Sequence, residues 1–259
     1  MKTVLILCVA APALWGDLPP AHRVRSAELR PPAVAPRNQA EEDYRRAIRF
    51  ADGDGAPQSY AEAARYYRLA AEAGLAPAQY DLAYLYENGW GVGRDYGQAA
   101  LWYRRAAVQG DAESENNLGV LYSTGRGVAH DDAEAVRWYR LAAAQDNVEG
   151  ISNLAMMLLQ GRGVARDPAQ AFQLFRRAAE SGYAVAQNNL AIMYANGEAV
   201  GRDLVAGYAW SEVASAAVAP ATNLRSQIAA QMTPGQIARA ERLADEIRRR
   251  IAGREASAK

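Results

Sequence analysis

Few residues in this chain are of types that could support catalysis. Histidine occurs twice, at His22 and His130, and cysteine once, at Cys8, among 259 residues. One cysteine excludes an internal disulfide framework and a cysteine-based structural zinc site. His130 stands where Arg94, Arg166 and Arg202 stand at steps of 36 residues, so it reads as a solvent-facing loop residue rather than a metal ligand. No serine is accompanied by a histidine base, and the carboxylates sit mostly where helices begin, so no catalytic apparatus is visible and an enzyme is not expected. The turn Gly125-Arg126-Gly127-Val128 invites comparison with phosphate-binding loops, but no strand precedes it and no lysine follows it. Neither a cofactor nor a metal is expected.

Binding chemistry is better provided for. Three positions, 80, 84 and 88, share a face of one amphipathic segment and recur every 36 residues. The middle row is Tyr84, Val120, Met156 and Ile192, all large and apolar. The lower row is Asn88, Thr124, Gln160 and Asn196, and the upper row is Tyr80, Asn116, Ser152 and Asn188. An apolar stripe bordered by amides and hydroxyls suits an extended peptide or a helix, with the amides meeting backbone groups. The candidate partner-binding groove is therefore Tyr80, Tyr84, Asn88, Val120, Thr124, Met156, Gln160, Ile192 and Asn196. The competing reading is that tight curvature buries the middle row between successive units. Trp102, Trp138 and Trp210, in helical register beside alanine pairs, read as core, and Asn117, Asn153 and Asn189 as residues that fix the backbone between units.

The elements that must hold these rows repeat with the same step. Leu82, Leu118, Leu154 and Leu190 fall 36 residues apart, as do Gly89, Gly125, Gly161 and Gly197, and Asp95, Asp131, Asp167 and Asp203. A degenerate earlier copy places Ala47, Phe50, Gly53, Gly55 and Ser59 in matching positions. A period in this range marks stacked supersecondary units. Each unit reads as two helices: the first ends at a left-handed glycine, and the second opens on an aspartate or serine with capping-box spacing, as in Asp131 to Glu134. With 57 alanines and few β-branched runs, the expected fold class is all-α.

The pattern Asn117-Leu118-Gly119, Tyr122, Gly125-x-Gly127-Val128, Asp131, Ala135, Trp138-Tyr139 and Ala142-Ala143 resembles the Sel-one-like repeat family, a relative of the tetratricopeptide repeats. The resemblance implies a right-handed α/α solenoid of antiparallel helix pairs that serves as an adaptor or scaffold for other proteins. Some bacterial relatives are exported regulators or cysteine-rich secreted proteins, and this chain lacks the paired cysteines of the latter.

Residues 1–16 combine Lys2 with an uncharged apolar run and read as a signal peptide, which favours a periplasmic or secreted protein over a cytoplasmic one. The run is too short to span a bilayer. Residues 17–38 hold five prolines and read as an extended, disordered linker. Residues 39–217 hold five repeats, the first degenerate and the last partial. Residues 218–259 hold capping helices, with one short helix over 223–231 and an amphipathic one from Thr233 onward. Twenty-nine basic residues balance 29 acidic ones, which argues against nucleic acid as a partner. The expected function is a protein–protein scaffold whose groove takes a partner segment. The alternatives are a regulatory subunit, including a negative regulator of a membrane sensor, that works through other surfaces, and, last, a cell-wall-active enzyme.

Overall fold

The structure is a computed structural model and describes residues 39–257. The signal peptide and linker expected over residues 1–38 lie outside the described residues. Every regular element among the described residues is an α-helix. They fall into two compact units, which divide along the chain between Gln145 and Asp146.

The first unit holds α1 (Gln39–Asp52), α2 (Tyr60–Glu72), α3 (Ala76–Asn88), α4 (Tyr96–Ala107), α5 (Ala112–Thr124) and α6 (Asp132–Ala144). Each helix packs on its sequence neighbours, with α1 on α2, α3 on α4 and α5 on α6 making the closest pairs. Alanines 63, 70, 99, 106, 135 and 142 are wholly buried and allow helix backbones to approach. Tyr67, Tyr103, Leu82, Leu118 and Leu121 fill the space between them. Trp102 and Trp138 are buried, in keeping with their reading as core.

The glycine and aspartate columns account for the helix ends. Gly89 and Gly125 adopt left-handed φ values of 73° and 67°. The next residues then donate back: Trp90 N–H to the Leu85 carbonyl at 3.0 Å and Arg126 N–H to that of Leu121 at 3.1 Å. These bonds satisfy carbonyls that the helix end would leave open. The aspartates cap the next helix, with Asp95 Oδ1 accepting from Gln98 N–H at 3.0 Å and Asp131 Oδ1 from Glu134 N–H at 3.0 Å.

The reciprocal half of the expected capping box is replaced. The cap's own N–H does not turn to the side chain three residues on. Instead Ser59, Asp95 and Asp131 donate to the carbonyls of Phe50, Tyr86 and Tyr122 at 2.8, 2.9 and 3.1 Å. The preceding helix lies close enough to supply an acceptor, so one bond both satisfies the cap and ties the pair together. The full reciprocal box occurs at the last helix, where Thr233 N–H meets Gln236 Oε1 at 2.8 Å and Gln236 N–H meets Thr233 Oγ1 at 3.3 Å.

The second unit holds α7 (Val148–Gln160), α8 (Pro168–Glu180), α9 (Ala184–Asn196), α10 (Leu204–Ala214), α11 (Ala219–Ala229) and α12 (Pro234–Ser257). Gly161 and Gly197 stop the first helices, and Asp167 and Asp203 cap the second. Helix α11 begins four residues before the sequence reading placed it, because Pro220 fits a first helical turn. Both α11 and α12 pack on α10 and cover the last repeat. Glu212 of α10 accepts from Arg225 of α11 and Arg248 of α12. Partial burial raises its carboxyl, but the two guanidiniums outweigh that and hold it below the usual carboxylate range.

Candidate partner-binding surface

In the first unit the rows lie on α3 and α5, and α1 extends them through Tyr44, Ile48 and Asp52 at the preceding step of 36. The upper row is closed. Tyr80 is 5 % exposed and stacks on Tyr84 at 6.4 Å between ring centres, while Asn116 is also buried. The middle and lower rows stay open, with Tyr84, Asn88, Val120 and Ile48 half-buried and Thr124 and Asp52 exposed. Asn88 donates to the Tyr84 carbonyl and Thr124 to that of Val120, so both polar groups are already held by their own helices. Burial raises the Tyr84 phenol, and Glu87 and Tyr60 push it further up.

Tyr84 belongs to an aromatic cluster that the 36-residue rows did not reveal. Its ring meets Trp90 edge-on at 5.7 Å, and Trp90 lies 5.2 Å from Tyr60. Trp90 comes from the loop after α3 and Tyr60 from the first turn of α2, and both are half-buried. The sequence offered a signal: Trp90 fills a loop position that holds Arg126, Arg162 and Glu198 in later copies. Burial raises the Tyr60 phenol and the Asp52 carboxylate adds to the rise.

Behind the rings, Tyr103 donates its hydroxyl to Glu87 Oε2 at 2.8 Å. Burial raises the Glu87 carboxyl, and the Tyr103 bond and the Arg126 charge only partly offset this. The folded chain therefore holds this proton more tightly than the unfolded chain does. The stability linked to it is present below the usual glutamate range and is lost as pH rises through the folded value. Glu87→Gln, which keeps an acceptor for Tyr103, is expected to be more stable than the parent at pH 7. The difference should vanish below about pH 4, where the parent is protonated as well; urea titrations at both values check this.

In the second unit the rows lie on α7 and α9, and there the middle row is core. Met156 is 8 % exposed and Ile192 is 2 % exposed, and Ser152 and Asn188 above them are also buried. The lower row, Gln160 and Asn196, remains exposed. Gln160 reaches the Met156 sulfur at 3.2 Å. Of the nine groove candidates, Tyr80, Met156 and Ile192 thus lack surface to offer a partner. Asn188 Oδ1 and Asn189 Oδ1 are buried without a hydrogen-bond partner among the described residues.

His130 is 54 % exposed on its side chain and faces Asp132 at 3.3 Å, which fits a loop residue. No group of three or more histidines, cysteines and carboxylates is placed to hold a metal among the described residues. No helix there is long and apolar enough to cross a membrane.

Helix pairs repeating every 36 residues, joined by left-handed glycine turns and closed by terminal helices, define an α/α solenoid of the kind that presents surfaces to other proteins. The Sel1 repeat model matches residues 41–75, 76–111, 112–147, 148–183 and 184–217, and the chain belongs to that family. Two solved structures share the fold. The Sel1 repeat protein from Oxalobacter formigenes is 28 % identical with a TM-score of 0.71, over 80 % of this chain and 85 % of that one. The protein c5321, described as a protective antigen present in uropathogenic Escherichia coli strains and displaying an SLR fold, is 29 % identical with a TM-score of 0.67. That match spans 90 % of this chain but 56 % of the other. No curated protein matches the chain.

Proposed function

We propose that this chain is a non-enzymatic scaffold that acts after export and holds an extended segment of a partner protein on the first-helix face of its first unit. The observation that carries this reading is the open surface formed by Tyr60, Trp90 and Tyr84 with Ile48 and Val120. Rings of this kind supply large contact area at low cost in side-chain freedom, and binding energy concentrates in such residues. Met156 and Ile192, which the sequence placed in the groove's middle row beside Tyr84 and Val120, are buried in the core instead.

The test uses a photo-crosslinking residue at Thr124, which is exposed at the groove's lower row. Irradiated cells are expected to yield a discrete crosslinked partner. Tyr84→Asp is expected to cut that yield at least tenfold while the chain stays helical. Unchanged yield from a folded Tyr84→Asp chain would reject the groove. A second reading then applies, in which Leu69, Leu101, Val108 and Leu141, all exposed, form the contact surface of a regulatory subunit.

Export rests on the lysine-then-apolar layout of residues 1–16. Intact-mass analysis of protein recovered from cells is expected to find a first residue between about 14 and 28, the window a signal peptide of ordinary length leaves. Retention of Met1 or Lys2 on the recovered protein would reject it.

A further inference from the structure

We propose that the second-helix face of the first unit docks on an anionic lipid surface, with guanidiniums at the level of the phosphates and leucines dipping between headgroups. The inference goes beyond the groove reading, since it concerns other helices and an occupant that is lipid rather than protein.

Among the described residues, large apolar side chains stand exposed only here. They are Leu69, Leu101, Val108 and Leu141, on α2, α4 and α6 or, for Val108, one residue past α4. Arginines alternate with them at steps of 36. Positions 65, 101 and 137 read Arg, Leu, Arg, and positions 69, 105 and 141 read Leu, Arg, Leu. On each helix the two lie four residues apart and so share a face. Arg68, Arg104 and Arg140 form a further column beside them, and all six arginines are exposed.

Charge is sorted within the unit. Residues 39–145 carry 16 Asp and Glu against 11 Arg, so the unit as a whole is acidic. Yet α2, α4 and α6 hold six of those arginines and only four of those acids, Glu62, Glu72, Asp132 and Glu134. Glu62 and Glu134 answer Arg65 and Arg137 at 3.0 Å each, and Glu72 alone of the four is exposed. Helix α4 has no acid at all. There Arg104 donates to the Tyr122 hydroxyl and Arg105 lies over the Trp102 ring at 4.4 Å, contacts that hold a guanidinium without neutralising it. An anionic surface attracts this face and repels the acidic remainder, so charge orients the unit as well as holding it.

The interleaving decides between lipid and protein. The centre of a protein–protein interface is depleted in charge, because a buried unpaired charge is costly. Here every exposed leucine has an arginine four residues away on its own helix. A lipid surface accepts that pattern: apolar side chains enter the boundary of headgroups and acyl chains while guanidiniums stay among the phosphates. Arginine suits the role, since its planar fork meets two phosphate oxygens at once.

The test measures co-sedimentation of the full chain with vesicles of phosphatidylglycerol and phosphatidylcholine in equal parts, and with vesicles of phosphatidylcholine alone. Binding is expected only to the anionic vesicles, and it should weaken as salt rises. Arg104→Gln with Arg105→Gln is expected to lower the partition about tenfold or more. Leu101→Ser with Leu141→Ser is expected to lower it about threefold. Arg46→Gln with Arg49→Gln removes the same charge from exposed positions on α1 and should leave the partition within about twofold. Every variant keeps residues 1–38, so that segment contributes equally to each, and circular dichroism checks that each stays helical. No binding to the anionic vesicles, an equal loss in the α1 pair, or full binding by the leucine pair would each overturn the proposal. A photo-crosslinking residue at Val108 that captures a protein rather than lipid in cells would overturn it too and assign the face to a regulatory contact. Capture from Thr124 reports separately on the groove.

Discussion

Gly127→Val is expected to cost the first unit about 3–5 kcal/mol, enough to unfold much of it, because two penalties add. Gly127 has φ of 70°, a left-handed conformation that L side chains rarely adopt. That strain contributes about 1–2 kcal/mol, more for a β-branched side chain. The second penalty is steric. A Cβ there would lie 2.2 Å from the Tyr96 carbonyl carbon and 2.3 Å from its oxygen. The obstacle is the backbone of the preceding repeat's second helix, so no rotamer change removes it, and a forced shift of packed backbone costs about 1–3 kcal/mol more. Gly91 repeats the arrangement against Tyr60, where the distance would be 2.1 Å.

Gly110→Ala is the control for the first penalty alone. Gly110 has φ of 86°, yet nothing lies within 4 Å of an added Cβ. Its loss is expected to be about 1–2 kcal/mol. Urea titrations of both variants followed by circular dichroism decide the matter. Equal losses would mean that the repeats do not meet at the glycine turn and that only backbone strain keeps the glycine there.

The steric role of that glycine also shows why the architecture was legible. Each unit must end a helix, turn within a few residues and start another against its neighbour, and the same small set of residues solves that problem at every step. Gly125, Gly127 and Asp131 are local solutions to local demands, and local demands leave periodic marks in a sequence. The capping box was misjudged in its second half because the competing acceptor, the Tyr122 carbonyl for Asp131, belongs to another helix and leaves no mark at all. Ala199, with φ of 67° where earlier copies have glycine, shows that the column tolerates a lapse that sequence counting alone would read as decay.

The groove was harder to read, since exposure along a helix face depends on how closely successive helices stack. Positions 84, 120, 156 and 192 share one register, yet Tyr84 and Val120 are half-buried while Met156 and Ile192 are closed off. Their residue types fit either outcome. Trp90 and Asp52, which complete the aromatic surface, lie off the strongest columns, one in a loop and one in the degenerate first repeat. The period therefore identified the face, and packing decided which part of it stayed open.

Ile192→Asp is expected to collapse the second unit, with a loss above about 4 kcal/mol, in the range of an uncompensated charge placed in a packed interior. Ile192 is 2 % exposed on α9 and shares that helix with the buried Leu190, Ala191 and Met193. The substitution removes the apolar contacts and leaves a carboxylate without a partner, so its pKa must rise and stability should recover partly at low pH. Asn196→Asp, four residues on and exposed, should change the midpoint by less than about 0.5 kcal/mol. Thermal and urea unfolding of the two variants read burial directly. An Ile192→Asp chain as stable as the parent would show that the row is open on α9, and the second unit would then carry an apolar surface of its own. A collapsed Ile192→Asp chain beside an intact Asn196→Asp chain would confine apolar recognition to Ile48, Tyr84, Trp90 and Val120, where the scaffold has rings to offer and a solvent-facing edge from which to offer them.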